Sequence, residues 1–355
     1  MLAGSGLLIY AFLLYSKMHP YGFEDAWSIW NFTARLLYRT NSTAILFNNQ
    51  IYDPFHPDYP VGLGLNVAWG WFVLGRESTN VPIAIAFYVI ASPALMLWGA
   101  LKKWRGTLPA ILGTLVYLMN PNLKWSVGQM ADGLLALYML AAMIMLYGYL
   151  RLSKPGLLLM AGLLSGFSAW IKNEGVLFIG VFLLISAIMM WKQVIPKWNI
   201  KWIGLGMSLP ILIVTVYKFS IYTSTEYIRN ANFVTAQLID IQRWQTIGRE
   251  FLVNFLHYGD WPISIVIILV VYMTLVGLDH SERQSQIWLL LLLLGQFVGY
   301  FFIYLITPYD LNWQLSTSVD RLVSHLFPML FFWMFIALQP PLLASSRETI
   351  TSPSS

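Results

Sequence analysis

The chain has 355 residues, of which 58% are hydrophobic and only 10% charged, with a formal net charge of +5 and no cysteine. Soluble domains carry about 25% charged residues, so this composition, with a mean hydropathy of +0.64, excludes a soluble protein and specifies one embedded in a lipid bilayer. Disulfide and thiol chemistry are excluded too, and nothing points to a nucleic acid as partner.

Continuous apolar runs at residues 2–16, 81–101, 107–121, 130–150, 157–171, 175–191, 203–220, 261–278, 287–305 and 325–339 predict an all-α polytopic membrane protein with about ten transmembrane helices. A barrel is excluded, because no run alternates apolar with polar residues. The first run lacks a cationic leader and a small-residue cleavage signal, so it is expected to be a retained span. Residues 17–80 form a first large outer loop. Within it, 25–39 sets Ile29, Phe32 and Leu36 opposite Asn31, Arg35, Tyr38 and Arg39, the pattern of a helix lying in the interface. Glu24 or Asp25 stands at its start, where acids are favoured. Residues 61–75 are apolar but follow Pro60 and contain Gly62, Gly64, Asn66 and Gly70, which predicts an interfacial or re-entrant helix. A second outer loop, 221–260, carries Arg229, Arg243, Trp244 and Arg249 and is expected to hold another interfacial helix. Residues 1–340 are thus read as one transmembrane domain with an outer cap, and 341–355 as a disordered cytoplasmic tail.

Orientation follows from basic residues in short loops. With residue 1 in the cytoplasm, the inner loops contain Lys102, Lys103, Arg105, Arg151, Lys154, Lys192, Lys197, Lys201, Arg283 and Arg347 against only Asp279, Glu282 and Glu348. The expected location is the plasma (inner) membrane.

With that threading, five separated polar clusters fall on the outer, extracytoplasmic face. In Glu24-Asp25 a carboxylate beside lipid and the rings of Trp27 and Trp30 can accept a proton; the bland reading is a helix cap. His56 and Asp58, in a Pro-bounded turn, can hold a metal or phosphate or make a turn hydrogen bond, but zinc needs three or four ligands. Asp132 opens the fourth span, where it caps a helix or faces a water-filled cavity. Lys172 and Glu174 interrupt an apolar run at a tight turn that Gly175 suits. Lys172 there either snorkels to the headgroups or holds a lipid phosphate. Arg321 and His325 are i, i+4 on one helix face; Arg is the preferred bidentate partner of phosphate, and its bland partner is Asp320. Asn31-Phe32-Thr33 and Asn41-Ser42-Thr43 match the glycosylation sequon.

This combination resembles the GT-C superfamily of membrane glycosyltransferases, which includes protein O-mannosyltransferases and bacterial aminoarabinose transferases. The string Phe23-Glu24-Asp25-Ala26-Trp27 after the first span looks like the family's acidic motif in the first outer loop. Further blocks at 56–60, 131–133, 172–175 and 321–328 extend the likeness over most of residues 1–330. The resemblance implies a polyprenyl-phosphate sugar donor (undecaprenyl or dolichyl), an acceptor that is a glycan, lipid or protein, and inversion at the anomeric carbon. It implies Asp25, paired with Glu24, as general base or metal-linked acid, with no cofactor assigned and a divalent metal as an option. Lys172, Glu174, Arg321, His325, Asp132, His56 and Asp58 are the expected donor-phosphate and substrate-binding residues. Two rivals stand beside it. A secondary transporter would place ionisable groups near the bilayer midplane on broken helices in paired repeats, whereas here the span interiors hold almost no charge. A non-catalytic lipid-binding or assembly protein would not need acids and cations gathered on one face.

Overall fold

The computed structural model describes residues 2–47, 59–220 and 231–339. Every regular element among them is helical. Helix α1 (Leu2–Met18) leads through a π-helical turn (Ala26–Trp30) into α2 (Asn31–Thr40), and α3 is Gly62–Leu74. A hairpin of α4 (Asn80–Arg105) and α5 (Thr107–Leu118) precedes four helices in up-and-down order: α6 (Ala131–Leu152), α7 (Pro155–Ile171), α8 (Glu174–Trp191) and α9 (Ile200–Ser220). The chain continues with α10 (Ala231–Ile239), α11 (Ile241–Leu256), α12 (Ile265–Val276), α13 (Arg283–Ile306) and α14 (Leu311–Ala337).

Among the described residues six helices are long and apolar enough to cross a membrane: α4, α6, α8, α9, α13 with its preceding turn, and α14. Helices α11 and α12 together make a seventh candidate, bent by 85° where they join. The expected count of ten included 2–16, 107–121 and 157–171, which correspond to the shorter helices α1, α5 and α7. At 12 residues, α5 reaches only about 18 Å, against a hydrocarbon thickness of roughly 30 Å. The expected 61–75 helix is present as α3 and ends at Gly75, in the left-handed region at φ 65.

The helices are not equivalent. In α6 and α14, 78% of the apolar window is buried, against 33–39% in the other four long helices. These two form the centre of the bundle, and the others turn much of their apolar surface outward, as helices bordering lipid do.

The two ends of the bundle differ in chemistry. At one end the last turns of α4, α6 and α14 meet the connection between α12 and α13. Arg105 Nη1 donates to Asp279 Oδ2 at 2.5 Å, Arg151 pairs with Glu282, and Tyr147 donates to Glu282 at 2.8 Å. Leu278 and Leu338 form an antiparallel bridge beside them. Burial works against the Asp279 carboxylate, but hydrogen bonds from Ser281 and Arg105 hold it below the ordinary aspartate range. At 1.5 Å per residue the stretch from Arg151 back to Asp132 is roughly 28 Å, close to the thickness of a bilayer core. Asp132 therefore lies at the opposite end.

The 25–39 segment departs from its expected phase. Phe32 and Leu36 are only half-buried, while Asn31 (2% exposed), Thr33 and Ala34 face the protein. The cause is the π-helical turn, in which the Asn31 amide donates to Ala26 O, five residues back. The wider turn rotates everything after it relative to a regular α-helix. Burial of Asn31 and Thr33 also removes that sequon as an accessible acceptor, whereas Asn41 is exposed.

Candidate active site

Asp132 is the hub of the far end. It sits in the first turn of α6, is 1% exposed, and uses both oxygens twice. Oδ1 accepts from Lys172 Nζ at 2.9 Å and faces His325 Nε2 at 2.8 Å; Oδ2 accepts from Arg321 Nη2 at 2.9 Å and Nε at 3.3 Å. A carboxylate has about four acceptor positions, so Asp132 is saturated. An ionised carboxylate only accepts, so His325 Nε2 carries a proton. In the neutral imidazole, Nδ1 then accepts from the Tyr300 hydroxyl at 3.0 Å.

The helices place the partners. α6 and α7 form an antiparallel hairpin, which returns Lys172, the residue after α7, to the start of α6. Lys172 Nζ also meets Glu174 at 3.0 Å. Burial works against its charge, but Asp132 and Glu174 hold the ammonium above the ordinary lysine range. The turn to α8 needs glycine because the backbone of α7 approaches it closely. Gly175 has no left-handed backbone; a Cβ there would strike the Ser168 carbonyl. The snorkelling reading of Lys172 fails, because it is 5% exposed and paired within the protein.

Arg321 joins Asp132 to the segment that follows α1. Its Nη1 donates to Asp25 Oδ2 at 2.8 Å, while Nη2 and Nε grip Asp132. Asp320 is not its side-chain partner: Asp320 Oδ1 accepts instead from the Arg321 backbone amide. Nor does Asp25 cap a helix, since it makes no side-chain cap bond. Its side chain is 32% exposed and, among the described residues, only Oδ2 is engaged. Glu24 is exposed and stands outside the network.

Six of the expected site residues thus meet: Asp25, Asp132, Lys172, Glu174, Arg321 and His325. His56 and Asp58 lie outside the described residues. Sequence reasoning missed three supports. Tyr300 fixes the His325 ring, and Trp125 places its ring 5.9 Å beneath the Arg321 guanidinium. Asn31 donates to Gln129 Oε1 at 2.8 Å, and Phe23 donates its amide to Gly128 O at 3.0 Å, so the segment carrying Asp25 is tied to the loop before α6. Neither half-buried Trp125 nor buried Tyr300 carries a sequence signal that separates it from ordinary packing.

The balance of charge limits what the site accepts. Three carboxylates (Asp25, Asp132, Glu174) surround two permanent cations (Lys172, Arg321), so both cations are already neutralised. Among the described residues no group of three or more His, Asp or Glu is arranged to hold a metal. The Asp132 oxygens are filled by Lys172, Arg321 and His325, so a divalent ion at Asp132 would have to displace them.

The chain is thus a polytopic helical membrane protein with a buried ion-pair network at one end. Its fold is similar to the crystal structure of ArnT from Cupriavidus metallidurans in the apo state, with a TM-score of 0.51 and 12% identity. The match covers 98% of this chain and 62% of that one, so the chain spans less than two thirds of the length of ArnT. At that identity the likeness shows a shared fold alone. No family profile and no curated protein sequence matches the chain.

Proposed function

We propose that the protein is an inverting glycosyltransferase of the GT-C type, which moves a sugar from a polyprenyl phosphate to an acceptor at the extracytoplasmic membrane face. The observation that carries this reading is the meeting of Asp25, Asp132 and Arg321, from three distant segments, in one network at one end of the bundle. The fold likeness to ArnT, a GT-C aminoarabinose transferase, supports it. The basic short loops gather at the opposite end, the cytoplasmic one by the positive-inside rule.

The residues divide the work by availability. Asp132 is saturated and holds Lys172, Arg321 and His325 in place. Asp25 keeps one oxygen clear of hydrogen bonds, which makes it the general base in preference to exposed Glu24. A lipid-linked phosphate needs a fixed cation, and Arg321 is the more reachable of the two, with 15% of its side chain exposed against 6% for Lys172. In the proposed cycle the donor phosphate takes the place of Asp25 on Arg321 Nη1. The released Asp25 accepts the proton of the acceptor hydroxyl or amine. The acceptor atom bonds to the anomeric carbon as the bond from that carbon to the phosphate oxygen breaks. The phosphate departs with the electron pair, stabilised by the preorganised guanidinium.

A transporter is disfavoured because Asp132, Lys172 and Glu174 sit at the junctions of α6, α7 and α8 rather than on broken helices, with Arg321 and His325 reaching them from α14. Reconstitution into proteoliposomes with a radiolabelled polyprenyl-phosphate sugar and a membrane-fraction acceptor tests the proposal. Transfer of label to the acceptor is the expected result; solute flux without transfer would replace this reading with the transporter.

A further inference from the structure

A second polar cavity, of about 340 Å³, opens between α11, the turn at Tyr258–Asp260 and the first turns of α14. Glu250 and Asn254 share one face of α11 at i and i+4, His257 follows at the end of that helix, and Ser316 and Asp320 face them from α14. Helix α14 is one of the two most buried. A carboxylate on such a helix is costly unless it faces water or a ligand. Among the described residues no Lys or Arg lines the space. Its volume lies at the small end of the roughly 300–1,000 Å³ typical of ligand sites. Tyr258 and Asn122, 3% and 8% exposed, line this cavity and also the narrow one that reaches Asp132. They form the partition between it and the ion-pair network.

We propose that this cavity is a sugar subsite, which anchors one ring of the acceptor. The ring is hydroxyl-rich and either neutral or amine-bearing. Glu250, Asp260 and Asp320 accept from hydroxyls or an ammonium, while Asn254 both donates and accepts. A ring carrying a carboxylate or phosphate would meet the carboxylates of Glu250, Asp260 and Asp320, while the cations that act on Asp320, Lys124 and Arg321, stand behind the lining rather than in it. Among the described residues this lining offers no Lys or Arg, whereas the network beyond the partition holds Lys172 and Arg321 among its own carboxylates, so a phosphate finds a cation to engage on that side and a sugar ring finds hydroxyl acceptors on this one. This assignment names an acceptor class for the proposed transferase and rests on that reading.

Binding can be read without turnover, by saturation-transfer NMR on the full chain in nanodiscs. The probes are methyl glucoside, glucosamine and glucuronate. The first two are expected to bind, glucosamine most tightly, and glucuronate at least about tenfold more weakly, a difference of about 1.4 kcal/mol. Glu250→Gln combined with Asp260→Asn should erase the preference for glucosamine, and Asn254→Ala should weaken both neutral and cationic probes. These changes are conservative, and Asn tolerates the left-handed backbone of Asp260, at φ 53. Absence of binding by all three probes, equal binding of glucuronate, or indifference to these substitutions would overturn the subsite. Sugar binding that responds to the substitutions in a protein without transferase activity would keep the subsite and remove the transferase. Transfer with unchanged probe binding would do the opposite.

Discussion

Two aspartates in one network carry different burdens. Asp132 is 1% exposed and neutralises Lys172 and Arg321 together. Removing one partner of a buried ion pair typically costs about 3–5 kcal/mol, because an uncompensated charge is left behind. Asp132→Asn is therefore expected to lower the melting temperature in detergent sharply. Asp25→Asn should leave it nearly unchanged, since a partly exposed pair contributes only about 0–1 kcal/mol. Equal melting temperatures for the two variants would contradict the division into a structural hub and a free base. The acids and cations were legible in the sequence because each interrupts an apolar run at a cost. What was not legible is that Asp132 is saturated. That depends on Lys172, Arg321 and His325 converging from two other segments, and no spacing rule reports it.

At the scale of elements, the tight return from α7 to α8 sets the position of Lys172. Gly175→Ala would push a methyl group into the Ser168 carbonyl. Such overpacking usually costs about 1–3 kcal/mol, so a lowered thermal midpoint is expected; a variant with unchanged stability would mean that the α7–α8 turn is looser than described. The long apolar helices could be read from hydropathy alone. Two features could not. The π-helical turn at Ala26–Trp30 shifts the phase of α2 and turns Asn31 inward, towards Gln129. The short helix α5 looks like a span in sequence because flanking residues extend its run, but its 12 residues fall short of a usual crossing.

At the scale of the whole molecule, charge is sorted to two ends: a mixed ion-pair network at the start of α6, and basic loops clasped by Arg105–Asp279 and Arg151–Glu282 at its close. The chain has no cysteine, so single cysteines report topology directly. Ser42→Cys and Lys154→Cys, at exposed positions near opposite ends, should react with an impermeant maleimide from opposite sides of the membrane. Labelling from the same side would break the assignment of ends. The central claim is that Asp25 removes the acceptor proton in a transfer from a polyprenyl-phosphate sugar. Its most direct test is label transfer in proteoliposomes by the wild-type chain and by Asp25→Asn at matched insertion and melting temperature. The account predicts transfer by the first and loss of at least about a hundredfold in the second, the lower end of what a positioned general base contributes. An Asp25→Asn protein with full turnover would contradict it.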